Sequence, residues 1–239
     1  MQYRLSRLLA GPFLYGLWRP QLLNADRIPS SGGAILASNH LSIVDSVFLP
    51  LMVSRPVTFA AKSEYFTKTG LVDRLTGAYL RGTGQLPVDR SEARAAQDML
   101  DSALALLRAG SLFGIYPEGT RSPDGRLYRG RTGVGWLALH ARVPVVPVAM
   151  VGTDRVLPPG RRVPRFNRIR IQIGEPLTFG HYEGTGARER RAVTDEVMKA
   201  IQALSGQEYV PVYASVRKAE IAAATANGRR EPGARAGSA

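Results

Sequence analysis

The chain has 239 residues, 44% of them hydrophobic, which is enough for one ordinary domain with its own core. It has no cysteine, and its three histidines, His40, His140 and His181, are scattered; a disulfide framework, a thiolate nucleophile and a cysteine-ligated zinc are excluded, and no clustered metal site is expected. With 32 Lys and Arg against 19 Asp and Glu the formal net charge is +13, so the expected partner is anionic: a nucleic acid, a phosphorylated metabolite, a nucleotide-containing cofactor or an acidic membrane surface.

Residues 3–18 place Leu5, Leu8, Leu9, Phe13, Leu14, Leu17 and Trp18 at near-helical spacing, with Arg4, Arg7 and Arg19 at the polar edge and Gly11-Pro12 as a kink. Such a helix suits the headgroup region of a bilayer; the plainer alternative is a helix packed on the core. The arginines interrupt the apolar run, so neither a spanning helix nor a signal peptide is expected, and the chain is assigned to the cytosolic side.

After the turn at residues 29–33, residues 34–37 read as a short buried strand and 46–53 as a helix. Between them lies Asn39-His40-Leu41-Ser42-Ile43-Val44-Asp45. Residues five apart diverge by about 140° on a helix, so His40 and Asp45 meet only across a strand-to-helix turn. If Ser42 caps the helix, Asp45 is its third residue and folds back over His40. A carboxylate on one imidazole nitrogen leaves the other as a general base. The alternative is a plain capping box with an incidental histidine.

Residues 57–61 predict a second strand ending at Lys62, followed by a helix from residue 63. Residues 82–84 form a turn, and 85–88 a third strand running into Asp89-Arg90. Residues 91–109 predict a helix with Ser91 as its cap and Gly110 as its stop. A strand over 111–116 leads into Pro117-Glu118-Gly119-Thr120-Arg121-Ser122, which reads either as a ligand loop at a strand end or as an exposed turn with a local Glu118/Arg121 ion pair. Residues 133–141 predict a helix. Residues 143–148 predict a strand whose two prolines place it at an edge, make it irregular, or set it along a cavity. Arg155, Arg161, Arg162, Arg165, Arg168 and Arg170 form a basic stretch suited to an acidic membrane, a nucleotide phosphate or solvent. Strand-like alternation over 169–173 and a helix over 187–204 follow, and the tail from 218 is expected to be disordered.

Four blocks therefore stand in order: Asn39-His40 with Ser42 and Asp45; Gly84-Gln85-Leu86-Pro87-Val88-Asp89-Arg90; Tyr116-Pro117-Glu118-Gly119-Thr120-Arg121-Ser122; and residues 143–148. Together they resemble the glycerophospholipid acyltransferase family, whose usual member is the lysophosphatidate (1-acylglycerol-3-phosphate) acyltransferase. The resemblance covers most of residues 34–151. It implies an α/β fold, a single domain with a mixed central β-sheet flanked by helices, and transfer of an acyl chain from coenzyme A or acyl carrier protein to a glycerol hydroxyl. By position it implies His40 as base and Asp45 as its orienting carboxylate, with Asn39 and Ser42 in support. Arg90, Glu118, Gly119, Thr120 and Arg121, with Lys62, correspond to the acceptor and phosphate pocket, and Val143, Pro144 and Pro147 to the acyl-channel wall. Tyr116 stands where phenylalanine is commoner, and Leu86-Pro87 where the block is usually more aromatic or β-branched.

The organisation expected is a membrane-associating segment over 1–28, an acyltransferase domain over 29–217 and a disordered basic tail over 218–239. The absence of cysteine and of a G-x-S-x-G elbow favours direct attack by the acceptor hydroxyl over a covalent acyl-enzyme. The partners expected are a lysophospholipid, an acyl thioester with no further cofactor or metal, and the acidic cytoplasmic face of a membrane to which the protein binds peripherally. Nucleic acid is not expected, since no zinc-finger spacing, RNA-recognition aromatics or helix-turn-helix pattern is present. Rival readings are an acyltransferase acting on glycerol 3-phosphate, another lysophospholipid or a glycolipid, a thioesterase, and a non-catalytic basic binder of membranes or nucleic acid.

Overall fold

The computed structural model describes residues 11–12, 14–62, 77, 85–88, 94–158, 161 and 163–228. At its centre is β2 (Ala34–Ser38), whose sequence AILAS is buried at every position. An unbroken apolar run of this kind has no solvent face, as in strands covered by helices on both sides. Ala34 and Leu36 join one core, with Trp18, Phe48, Leu49 and Phe59, while Ile35 and Ala37 join a second, with Leu107, Phe113, Leu137 and Val197. The two-residue period of the strand divides four consecutive residues between two layers.

The main sheet contains β1 (Gln21–Leu23), β2, β3 (Val57–Lys62), β4 (Leu86–Val88), β5 (Leu112–Ile115), β7 (Val145–Val151) and β8 (Arg170–Ile173), in the spatial order β1-β8-β7-β2-β5-β3-β4. Neighbours are parallel except β7 and β8, which are antiparallel, so the sheet is mixed but mostly parallel. A small parallel pair, β6 (Leu127–Tyr128) with β9 (Tyr209–Val210), stands apart from it in hydrogen bonding.

Helix α1 (Asp45–Met52) covers the first core. Helices α2 (Ala95–Arg108), α3 (Gly133–Ala141) and α5 (Ala187–Ser205) cover the second, and the short α4 (Thr153–Val156) follows β7. On α5, Val193, Thr194, Val197, Met198 and Ile201 are buried, the spacing of one helical face. A Cβ on Gly135 of α3 would lie 2.2 Å from the Arg190 carbonyl oxygen of α5, so glycine is what lets these two helices approach. Helix α6 (Ala214–Gly228) closes the described chain.

Of the amphipathic helix expected over 3–18, residues 11–12 and 14–18 are described and helical; the remainder lies outside the described residues. Trp18 packs edge-on against Phe48 at 6.0 Å and donates from Nε1 to the Arg165 carbonyl at 2.8 Å, so this end of the segment joins the core. The expected helix from residue 63, the turn at 82–84 and the Ser91 cap also lie outside the described residues.

Several expectations are corrected. Strand β7 is central, between β8 and β2, not an edge. It accommodates Pro147 because the β8 ladder ends at Ile173 and Pro147 faces the irregular chain that follows, accepting at its carbonyl from Gly174 N at 2.8 Å. The segment boundary at residue 28 does not hold either. Residues 21–23 pair with 170–172, because the edge of β8 would otherwise present unpaired backbone groups. The tail expected to be disordered from residue 218 is helical to Gly228: alanine is the strongest helix former, and Ala214 at the helix start is fully buried. Helix α1 begins at Asp45 after Val44, not at a cap formed by Ser42, whose hydroxyl instead donates to the Leu157 carbonyl at 3.2 Å.

Candidate active site

Asn39 ends β2. Its side chain is buried and reproduces a strand's pairing with β7, accepting from Met150 N at 2.7 Å and donating to Met150 O at 3.0 Å. Nδ2 also donates to Gln207 Oε1 at 2.7 Å. A side chain taking over the ladder lets the backbone leave the sheet, and His40 is the next residue. It lies beyond the carboxyl end of a strand flanked by parallel neighbours, the position where open α/β sheets bind ligands.

The His40 backbone is held by the loop after β5. Its N–H donates to Glu118 Oε1 at 3.1 Å, and its carbonyl accepts from Ser122 N at 2.7 Å. Its Nδ1 donates to Asp45 Oδ2 at 2.9 Å. That same oxygen accepts Leu41 N at 2.7 Å and Ser42 N at 2.8 Å, so the carboxylate folds back over the turn. The expected meeting of His40 and Asp45 therefore occurs, made by backbone N–H groups and not by a Ser42 cap. Asp45 is fully buried, and its Oδ1 meets no donor among the described residues. Nε2 of His40 likewise has no partner among the described residues, and the ring retains 15% exposure. The imidazole lies flat on Tyr116, with centroids 3.9 Å apart and planes 10° apart; Tyr116 in turn stacks on Phe59 at 5.2 Å and shares a 3.1 Å hydrogen bond with Ser46 Oγ.

Glu118 is not in an exposed ion pair with Arg121. It is 1% exposed, and its Oε2 accepts Tyr128 N at 2.9 Å, opposite the His40 contact. Burial pushes its carboxyl up to about 7; the two backbone N–H groups oppose this, Asp45 adds to it, and Lys218 opposes it. Gly119 turns the loop with φ +72°, and a Cβ there would lie 2.9 Å from Arg131 Cδ. Thr120 Oγ1 accepts from Lys218 Nζ at 2.6 Å, and Arg121 is exposed. A cleft of about 540 Å³ borders the loop, lined by Leu41, Ser122, Pro123, Asp124, Arg155 and Phe166 among others. Its volume is in the range of small-molecule sites.

His40, Asp45, Asn39, Ser42, Glu118, Gly119, Thr120 and Arg121 are thus brought together. Val143 and Pro144 are not: they precede β7, whose register with β2 runs from Ile35↔Val145 to Ser38↔Val148, and so stand at the opposite end of the sheet from His40. Pro147 lies inside that strand, buried and bonded to Gly174. The side chain of Lys62 and all of Arg90 lie outside the described residues. Two participants escaped the sequence reading. Tyr116 was visible only as a departure from the commoner phenylalanine, and Lys218, 98 residues from Thr120, carried no local signal.

Comparison with known proteins places this geometry in context. A family model described as Acyltransferase matches residues 19–151. Two chloroplastic 1-acyl-sn-glycerol-3-phosphate acyltransferases, from Brassica napus and Arabidopsis thaliana, are 28% and 29% identical over 175 residues, 72% of this chain; the chain spans about half their length, 49% and 48%. The Bacillus subtilis protein of the same name is 27% identical over 180 residues, 74% of this chain and 83% of the relative. The crystal structure of the 1-acyl-sn-glycerophosphate acyltransferase of Thermotoga maritima superposes with a TM-score of 0.63 at 25% identity, covering 82% of this chain and 77% of that one.

Proposed function

The chain belongs to the acyltransferase family, and from that membership we propose that it transfers a fatty acyl chain from an acyl thioester to the free hydroxyl of 1-acylglycerol 3-phosphate, giving phosphatidate. The observation that carries the reading is the His40 Nδ1–Asp45 Oδ2 contact at 2.9 Å, with Nε2 left unpartnered among the described residues. The names of the relatives support the same acceptor. Nε2 takes the hydroxyl proton as the oxygen attacks the thioester carbonyl, and Asp45 stabilises the imidazolium. Collapse of the tetrahedral intermediate breaks the carbon–sulfur bond, and the thiolate recovers the proton from His40. The product is an ester and a free thiol, with no acyl-enzyme. The donor thiol is that of coenzyme A or acyl carrier protein.

The enzyme works on a membrane surface from its cytoplasmic side, bound peripherally. Among the described residues no helix is long and apolar enough to cross a membrane. Val163 and Phe166 are 77% and 76% exposed beside Arg161, Arg165 and Arg168, a pairing of apolar and basic groups suited to an acidic lipid surface.

The test is transfer from labelled palmitoyl thioester to lysophosphatidate in mixed micelles. The native chain is expected to make labelled phosphatidate, and His40→Ala, folded by circular dichroism, to lose at least about a hundredfold in kcat. Equal activity in the two proteins removes His40 as the base. Absence of transfer to any lysolipid, with liposome binding retained, overturns the enzyme reading in favour of a basic lipid binder.

A further inference from the structure

Lys218 reaches the site from α6, outside residues 19–151 that the family model matches. The start of that helix is fastened to the loops around the site. Ala214 is fully buried, Arg131 Nη2 donates to Ser215 Oγ at 3.2 Å, and the guanidiniums of Arg129 and Arg131 lie over the Tyr213 ring at 5.6 and 5.3 Å. The Lys218 ammonium donates one hydrogen to Thr120 Oγ1 at 2.6 Å. Two hydrogens remain, and among the described residues no carboxylate lies within ion-pair distance of it. The carboxylate that acts on it electrostatically is Glu118, both of whose oxygens are already committed to backbone N–H groups.

Burial and the neighbouring charge of Arg121 both hold the Lys218 pKa below its ordinary value. Two cations kept together with no carboxylate at ion-pair distance among the described residues are unfavourable in the free protein, and their proximity becomes favourable when an anion sits between them. Thr120 is two residues from Ser122, whose N–H binds the His40 carbonyl, so its Cα lies within about 7 Å of the Cα of Ser122. A phosphomonoester carries a charge of about −1.5 to −2 at pH 7 and presents three acceptor oxygens. In 1-acylglycerol 3-phosphate it is one carbon from the reacting hydroxyl.

We infer that Lys218 and Arg121 together hold the phosphomonoester of the acyl acceptor, with Thr120 aiming the ammonium. The inference rests on the acyltransferase reading above and adds a binding residue from the C-terminal helix. Arg121 supplies planar donors from the exposed side, and Lys218 a point charge from the half-buried side. The same chemistry would suit the nucleotide phosphates of a coenzyme A donor, so the two sources must be separated.

Kinetics of the full chain in uncharged detergent micelles separate them, with palmitoyl-pantetheine, which lacks phosphate, as donor. Lysophosphatidate and the matching monoacylglycerol serve as acceptors. Lys218→Met, which keeps the apolar stem, is expected to raise KM for lysophosphatidate about tenfold to a hundredfold, the loss of one charge-assisted contact, while kcat stays within about threefold. Its preference for lysophosphatidate over monoacylglycerol falls by the same factor, and Lys218→Arg restores both. Unchanged KM and preference in Lys218→Met overturn the inference. So does a KM effect seen with palmitoyl-coenzyme A and absent with palmitoyl-pantetheine, which assigns the cation to the donor, and so does an equal KM rise for monoacylglycerol, which makes Lys218 structural. A native chain inactive on every lysolipid overturns the acyltransferase reading and this inference with it, an outcome distinct from an active native chain indifferent to Lys218.

Discussion

Glu118→Gln probes the carboxylate that ties the His40 turn to the rest of the site. Both carboxylate oxygens accept backbone N–H groups, from His40 at 3.1 Å and Tyr128 at 2.9 Å. An amide has one oxygen, so it satisfies one of these donors and turns its NH2 towards the other. A buried N–H left without a partner destabilises by about 1–3 kcal/mol. The native carboxylate has an opposing effect of its own. Its pKa rises from 4.5 to about 7 on folding, so across that interval the folded state holds a proton that the unfolded state has released. Stability from this group is therefore full below about pH 4.5 and declines as pH rises to about 7. Between pH 5 and pH 8 the decline is roughly 2–3 kcal/mol, at about 1.36 kcal/mol per unit. Glutamine does not titrate, and all other groups contribute equally to both proteins. In urea unfolding the variant is expected to be less stable at pH 5, with the gap narrowing or reversing by pH 8. Parallel stability curves with one constant offset would refute the assignment of the raised pKa to Glu118.

Tyr116→Phe keeps the ring under His40 and, among the described residues, gives up the hydroxyl's bond to Ser46, so kcat is expected to stay within about threefold; Tyr116→Ala loses a stack of about 1 kcal/mol and the support of the imidazole plane, so kcat is expected to fall at least about tenfold. Native turnover in Tyr116→Ala would show that Asp45 alone orients the ring. Gly119→Ala forces a side chain into φ +72° against Arg131, a destabilisation of about 1–2 kcal/mol read as a fall in Tm of roughly 2–8 °C. A native melting curve would mean that the loop can take another backbone course.

Much of the fold was legible in the sequence because it is written in short windows. The buried run before His40, the helices predicted over 91–109 and 187–204, and the five-residue spacing of His40 and Asp45 are local patterns, and each reappears among the described residues within a few positions. The tail was misread for a related reason: an alanine-rich stretch shows no apolar period, yet needs little packing to stay helical once Ala214 and Lys218 anchor its start.

The sequence by itself determined the main strands and helices around His40, the meeting of His40 and Asp45, and the family resemblance, since residue type and near spacing suffice for each. Only the tertiary structure decided how the pair is held. Glu118 lies 78 residues from His40, Met150 lies 111 from Asn39, and Lys218 lies 98 from Thr120. Only the sheet order shows that a strand containing Pro147 runs through the centre of the sheet. Contacts at such separations are set by strand register and by the packing of helices on the sheet. Neither leaves a periodic trace in the chain, because each depends on which distant backbone groups would otherwise be buried without partners.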